Sequence, residues 1–200
     1  GTLGGFVVSK GSFALTDSSP LSVGGAVKVD DGRAIALTAD APSFAPGGAL
    51  NAGATGVVSL IPLSGGTALT LDPTTTGDFS SITAGTISLG GIAGGGGTQA
   101  ASIAITGDVS TTAMLELHSV GTIVQSGGTL NVGGLAGNAS GISIEQAGNV
   151  IPALGVFTIN GGDFRLADSV ALDVTGSLHA ANVVLTDSTA LTVSGSVAGT

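Results

Sequence analysis

The sequence contains no cysteine, tryptophan or tyrosine, and only 3% of its 200 residues are aromatic. Without cysteine the chain forms neither a disulfide nor a thiolate metal site, which is compatible with export to an oxidising compartment. Charged residues make up 8% of the chain, where about 25% is typical. The good helix formers Glu, Lys, Gln and Arg are therefore scarce. No apolar run approaches the length of a membrane-spanning helix.

Basic residues are also few. The formal net charge is −9, and the fixed cations are Lys10, Lys28, Arg33 and Arg165. A nucleic-acid-binding face needs clustered Lys and Arg to displace counterions from phosphates, and an anionic membrane surface attracts the same clusters. Because these cations are scattered, we expect neither nucleic-acid binding nor attraction to an anionic membrane surface. The lack of a long apolar run predicts no membrane insertion.

The residues that are abundant indicate strands and turns. Glycine accounts for 36 residues, but hydrophobic residues reach 42% and are mainly Val, Ile, Leu and Ala, so the chain can build a core. Apolar and polar residues alternate in short segments, as in Leu21/Val23 and Val27/Val29. This period of two places the apolar side chains on one face of a strand, and Gly, Pro, Asp and Ser between the segments predict corners.

Two nested repeats organise the chain. LADSVALDVTGSL at Leu166–Leu178 recurs as LTDSTALTVSGSV at Leu185–Val197, with 8 of 13 positions identical and a period of about 19 residues. Leu3–Val27 aligns without a gap to Leu154–Leu178, 151 residues later, with 11 of 25 positions identical. A fixed period of about 20 residues is the signature of a solenoid, in which each residue lies over its equivalent one coil later.

The repeats favour a parallel solenoid over a β-sandwich or an antiparallel barrel, whose successive strands need not resemble one another. We predict an all-β, right-handed parallel β-helix with about 19–21 residues per coil, and so about ten coils. Residues 1–200 are expected to form one continuous β-solenoid segment of a longer chain, with a long repeat at 3–153 and a second, truncated copy from 154. Interior ladders should place Leu166 over Leu185 and Leu172 over Leu191, with Asp168 over Asp187 at a corner.

Other positions give more local predictions. Ala41–Ala54, with two prolines, is expected to be a long corner or loop, and glycine-rich Gly90–Ala101 an excursion or a site of tight backbone packing. Val156 and Ile159 continue the series of apolar strand residues and are expected in the core.

The repeated motif LG-x-F … F-x-L-x-D-S-x-x-L-x-V-x-G-x-(L/V), at Leu3–Val27 and Leu154–Leu178, resembles repeats of large secreted bacterial exoproteins. These are filamentous-haemagglutinin-like, two-partner-secreted or autotransporter-type adhesins, whose stalks are right-handed β-helices. Thr122–Phe157, including QAGNVIPALG at Gln146–Gly155, resembles another part of the same repeat. The likeness covers most of the chain and is weakest across Ala41–Ala101. It implies an extracellular stalk or filament, and it carries over no functional residue because any receptor-binding domain would lie outside this segment.

Candidate catalytic and metal-binding residues are few. Glu116 and His118 are predicted to lie on the same face of a strand, where they have the chemistry of a metal-binding or acid–base pair, but no third ligand is evident. Asp30-Asp31-Gly32 and the stacked Asp168/Asp187 have the chemistry of a weak cation site, although corner capping is the usual role of such residues. We therefore assign no catalytic, cofactor-binding or metal-binding residue.

The function predicted from the sequence is structural. We expect a stiff extracellular stalk or filament segment of a bacterial surface adhesin, with adhesion or cell–cell and biofilm contacts as its role. Its partners would be further copies or coils of itself, and host or neighbouring-cell surfaces or glycans. A self-polymerising filament or surface-layer subunit is the first alternative. A polysaccharide-acting β-helix enzyme is the second, disfavoured because no groove of carboxylates with aromatic sugar platforms is apparent.

Overall fold

The computed structural model describes residues 1–40, 42–74, 78–94 and 96–199, and all regular elements in these ranges are β-strands. In chain order they are β1 Thr2–Leu3, β2 Phe6–Val8, β3 Phe13–Thr16, β4 Ser22–Val23, β5 Ala26–Val29, β6 Ala34–Thr38, β7 Ser43–Phe44, β8 Ala49–Asn51, β9 Val57–Ile61, β10 Ala68–Leu71, β11 Ile82–Thr83, β12 Thr86–Leu89, β13 Ser102–Ile105, β14 Val109–His118, β15 Thr122–Gln125, β16 Leu130–Ala139, β17 Gly141–Ile144, β18 Ala153–Ile159, β19 Phe164–Asp168, β20 Leu172–Val174, β21 Ser177–Ala180, β22 Val183–Asp187, β23 Leu191–Val193 and β24 Ser196–Gly199.

The strands form parallel sheets along a solenoid. Sheet 1 contains β1, β4 and β7, and sheet 2 contains β2, β5, β8 and β11. Sheet 3 runs β3-β6-β9-β12-β14-β16-β18-β20-β23, with β21 paired to β18 and β24 paired to β21. Sheet 4 runs β10-β13-β15-β17-β19-β22. Each strand pairs in parallel with a strand of an adjacent coil. The path through sheet 3 crosses nine strands, so the predicted all-β solenoid is confirmed with about nine turns in the described residues. Right-handedness stays a prediction from strand chirality.

The core consists of inward apolar columns. In sheet 3, one column pairs a residue from each turn with its equivalent in the next: Phe13, Ile35, Val58, Ile87, Leu115, Leu135, Leu154, Val174 and Val193. From Ile35 to Val174 these side chains are buried. Parallel in-register pairing brings like residue over like residue, so apolar contact continues along the whole column.

The predicted ladders of the short repeat are present. Leu166 pairs with Leu185, and Asp168 pairs with Asp187, in sheet 4. Leu172 pairs with Leu191 in sheet 3.

Coil length is uniform only in the C-terminal half. From Leu115 and Leu135 onward, register partners are spaced by about 20 residues, as in common solenoids. Earlier partners such as Phe13 and Ile35 are spaced by slightly more, and the steps from Val58 to Ile87 and from Ile87 to Leu115 are the longest in this column. The coil length predicted from the short repeat therefore applies where that repeat is found, while the longer coils contain longer connections.

Two local predictions were wrong. In the segment Ala41–Ala54, the described residues include strands β7 and β8, which pair with β4 and β5 and make this stretch part of the wall. Val156 is 57% exposed, because the pairing of β16 with β18 shifts register between Leu135 and Gly137. The extra residue turns Val156 outward and leaves Leu154 and Phe157 inward, as a β-bulge does.

The two copies of the long repeat occupy different sheets. Phe6 and Phe13 form an edge-to-face pair with ring centroids 4.8 Å apart, and their equivalents Phe157 and Phe164 form another at 5.0 Å. The first pair belongs to strands of sheets 2 and 3, and the second to strands of sheets 3 and 4. A local contact is thus preserved although the copies are turned relative to each other around the solenoid axis.

Aspartates fasten successive turns together at the corners. Asp31 Oδ1 accepts hydrogen bonds from the Thr55 backbone N–H at 2.9 Å and the Thr55 hydroxyl at 3.0 Å. The same pairing of carboxylate with hydroxyl and amide joins Asp40 to Ser64, Asp108 to Thr129 and Asp173 to Ser194. In each case the carboxylate comes from the earlier turn.

Candidate functional site

The outer face of sheet 3 is partly covered by the glycine-rich segment 90–94 and 96–101, which we call the strap. It leaves sheet 3 after β12, crosses the outer face and rejoins the wall near its end, where Ala100 makes a parallel bridge to Ser119. Ser88 points outward from β12, yet its side chain is fully buried and its hydroxyl donates to the Gly91 carbonyl at 2.9 Å. The predicted excursion at Gly90–Ala101 is therefore present in its described residues, 90–94 and 96–101, which pack on the wall of the solenoid.

Glycine is required where the strap meets His118. Gly90 has φ +78°, and a Cβ there would lie 2.3 Å from the His118 carbonyl oxygen. A Cβ at Gly91 would lie 2.8 Å from the His118 Cβ. Only residues without a side chain allow this approach, and the approach is what buries the imidazole to 3% exposure.

A hydrogen-bond network, which we call the His118 network, surrounds the ring. His118 Nδ1 lies 2.7 Å from Asn138 Oδ1, and Nε2 lies 3.3 Å from Glu116 Oε2. Asn138 Nδ2 donates a hydrogen bond to Gln99 Oε1 of the strap at 2.9 Å, and Gln99 Nε2 donates one back to Asn138 Oδ1. The Gly94 N–H of the strap donates to Glu116 Oε2 at 3.0 Å. Four side chains from two strands and the strap thus form one connected unit.

The electrostatics of the pair follow from these contacts. The hydrogen bond with His118 lowers the pKa of Glu116, burial opposes this, and the Gly94 N–H lowers the pKa further. The carboxylate therefore stays charged through the neutral range.

A groove of about 430 Å³ opens beside the network. Its lining combines the polar side chains of Glu116, Asn138 and Thr158 with the apolar side chains of Met114 and Val156. In the described residues, no group of three or more His, Cys, Asp or Glu side chains lies close enough together to hold a metal ion. The predicted Glu116–His118 pair is brought together, but the third ligand expected of a metal site does not join it.

The second histidine lies in the same outer column. The register of sheet 3 runs from His118 to Asn138, Thr158 and His179, so the two imidazoles are separated by two intervening strands. At about 4.8 Å per strand they are about 14 Å apart, and they cannot share a ligand. His179 is exposed, which is the ordinary state of an outward residue.

The aspartates considered for cation binding are engaged in corner contacts. Asp31 accepts from Thr55 and from the Gly32 N–H, and Asp30 Oδ2 accepts from the Lys10 N–H at 2.6 Å. Asp168 accepts from the N–H groups of Ile151 and Val170. The capping role predicted for these residues is confirmed.

A polar ladder inside one corner was missed by the sequence reading. Asn149 is fully buried, and its Oδ1 accepts from the Leu130 N–H and from the Gln125 amide, both at 2.9 Å. Its Nδ2 donates to Gln125 Oε1 and to the Ala167 carbonyl. Asp168, one turn after Asn149, is the next member and is 3% exposed. Burial raises the pKa of Asp168 above its ordinary value, its backbone donors oppose this, and the neighbouring Asp187 adds to the rise. The separation of these polar residues by one coil length was the available signal.

Comparison with protein-family models, curated proteins and solved structures finds no match to this chain. Among the described residues, no helix is long and apolar enough to cross a membrane.

Proposed function

We propose that this chain is a structural segment of a secreted bacterial surface adhesin of the filamentous-haemagglutinin-like or autotransporter type. It supplies a stiff extracellular rod that supports adhesion or cell–cell contact, and it performs no catalysis. The observation that carries this proposal is the inward column of sheet 3, which continues through about nine turns with buried apolar residues from Ile35 to Val174.

Stacking of this kind gives the chain its mechanical character. Each turn packs only on its neighbours, so length comes from repetition and every added turn has the same contacts. The aspartate corner contacts add polar links between turns on the surface, for example from Asp40 to the Ser64 hydroxyl at 3.0 Å. At about 4.8 Å per turn, nine turns give a rod of about 43 Å.

The surface chemistry supports a contact surface better than an active site. The outer row of sheet 4 passes through Ala104, Val124, Ser143, Arg165 and Val184. These side chains are small apart from Arg165, whose Nε lies 3.9 Å from Asp163 Oδ2 and 4.0 Å from Glu145 Oε1 in an exposed ion pair. They suit weak contacts with glycans, host surfaces or neighbouring rods.

A matched pair of variants in the source cell tests the proposal. Leu115→Asp interrupts the sheet 3 column with a buried charge, whereas Thr158→Ala removes one hydroxyl from the outer face. We expect Leu115→Asp to abolish attachment of cells to surfaces and to each other, and Thr158→Ala to leave attachment unchanged. Attachment that persists in Leu115→Asp, while circular dichroism shows the column variant unfolded, would rule out a rod role for this segment.

A self-polymerising filament subunit is the second candidate. Leu191, Val193 and Val197 belong to inward columns, and a second copy stacked on β23 and β24 would continue the same parallel apolar pairing. Sedimentation velocity at rising concentration tests it. Polymerisation would be supported if the sedimentation coefficient rises with concentration in the wild type and in Val124→Asp, on the outer face, but not in Val193→Asp. A wild-type chain that stays monomeric at all concentrations would exclude it.

A further inference from the structure

We propose that the His118 network is a pH-sensitive latch, which fastens the strap to the outer face of sheet 3 as the imidazole gains its second proton. The inference rests on the geometry of the network and does not depend on the proposed function of the rod.

The orientation of Asn138 assigns one proton. Asn138 Nδ2 donates to Gln99 Oε1 at 2.9 Å and to the Ser119 carbonyl at 3.3 Å, so the other end of the amide, Oδ1, faces the ring. Oδ1 is an acceptor only, and His118 Nδ1 lies 2.7 Å away. Nδ1 therefore carries the proton in both charge states of the ring.

The second nitrogen then distinguishes the two states. When the ring is neutral, Nε2 presents a lone pair to the Glu116 carboxylate at 3.3 Å, and the two repel. When the ring is doubly protonated, the Nε2–H donates a charge-assisted hydrogen bond to that carboxylate, and such bonds are roughly twice as strong as neutral ones. All partners of the network are satisfied only in the charged state.

The protonation state of the ring affects the strap because Glu116 is hydrogen-bonded to both. Glu116 Oε2 accepts from the Gly94 N–H as well as facing the ring, and Gln99 is bonded to Asn138. A carboxylate pulled into place by the imidazolium keeps Gly94 at hydrogen-bonding distance. When the ring is neutral it repels the Glu116 carboxylate, so Oε2 moves away and the hydrogen bond from the Gly94 N–H is weakened.

Few other titratable groups act on the ring. Glu116 lies on the same strand, β14, as His118. The strands β9, β12, β16 and β18, and the residues of Gly90–Ala101, include no Asp, Glu, Lys, Arg or His. The next titratable side chain in the outer column is His179 on β21, beyond Asn138 and Thr158. The pKa of Glu116 is lowered by its hydrogen bond with His118, so this group faces the ring as a charged carboxylate.

Hydrogen exchange of the full chain tests the latch. Mass spectrometry would follow the Gly94 amide at about pH 5.5 and about pH 8, which bracket the ordinary histidine range, with rates corrected for intrinsic exchange. We expect about tenfold greater protection of Gly94 at the lower pH, the factor given by about 1.4 kcal/mol of added hydrogen-bond free energy. His118→Gln should remove this ratio, and His179→Gln, in the same column, should retain it.

The outcomes are decisive in either direction. Equal protection of Gly94 at both pH values, or a tenfold ratio that persists in His118→Gln, overturns the proposal. If His118→Gln fails to fold, judged by loss of protection in β19 and β22, the wild-type chain supplies the test alone. Nitrogen-15 shifts of the His118 ring and the protection of Gly94 should then change with one midpoint, and separate midpoints would overturn the latch.

Discussion

Phe157 and Phe6 allow a controlled measurement of what the solenoid interior contributes. They occupy equivalent positions of the long repeat, and each packs edge-to-face on a second phenylalanine, Phe164 or Phe13. Phe157 is fully buried, however, whereas Phe6 is only partly buried. The same substitution therefore compares a ring with a strand neighbour on both sides, Phe157, with a ring that has a strand neighbour on one side only, Phe6.

We expect Phe157→Ala to lower the free energy of unfolding by about 4 kcal/mol, because it removes a whole buried side chain and leaves a cavity. Phe6→Ala should cost about half as much, since part of its ring is already in water. In a double-mutant cycle, Phe157 and Phe164 should couple by about 1 kcal/mol beyond their burial.

Urea unfolding followed by far-ultraviolet circular dichroism measures these differences in a chain without tryptophan or tyrosine. Solenoids lose turns from their ends, so hydrogen exchange in β16 and β17 should accompany it and report the interior turns separately. Equal losses for Phe157→Ala and Phe6→Ala would refute the argument that burial in the solenoid interior governs stability. A loss below about 1 kcal/mol at Phe157 would do the same.

Three further results are expected. Asp168→Asn should stabilise the fold at neutral pH by about 1 kcal/mol in thermal unfolding, because a neutral amide like that of Asn149 replaces a buried charge. Since the pKa of Asp168 is raised, its contribution to stability is complete below pH about 4 and is lost as pH rises through the folded pKa. The variant should therefore be no more stable than the wild type in acid. Gly137→Ala should cost at least about 2 kcal/mol in the same assay, since Gly137 has φ +145° and a Cβ there would lie 1.9 Å from the Leu117 carbonyl oxygen. Hydrogen bonds from backbone amides lower the pKa values of Asp31 and Asp40, so the stability that these carboxylates contribute is present above pH about 4 and is lost as pH falls through the folded pKa values. When unfolding is measured at decreasing pH, Asp31→Asn should therefore lose less stability than the wild type.

The sequence was most informative where residues recur at the coil length. Leu166 and Leu185 could be placed over each other because the short repeat carries 8 identities in 13 positions and each pair lies one turn apart. The longer coils around Val58 and Ile87 contain no such repeat, so their length had no signal in the pattern. Val156 shows a different limit, because a β-bulge inverts alternation and depends on the neighbouring strand.

Only part of the candidate site, the Glu116–His118 pair, could be predicted from the sequence. Glu116 and His118 are neighbours on one face of a single strand, so their proximity follows from the period of two. Gln99 and Asn138 are far apart in the sequence and meet only because the strap folds back over sheet 3. Burial of His118 likewise depends on how closely Gly91 approaches it, which only the folded chain reveals.

Labelling of intact source cells tests the central claim most directly. An antibody raised against this chain, visualised by immunogold electron microscopy, would report where the rod is displayed, with an antibody to a cytosolic protein as the control. The account predicts gold particles outside the cell boundary on unpermeabilised cells. Labelling that requires permeabilisation, as for the cytosolic control, would contradict it.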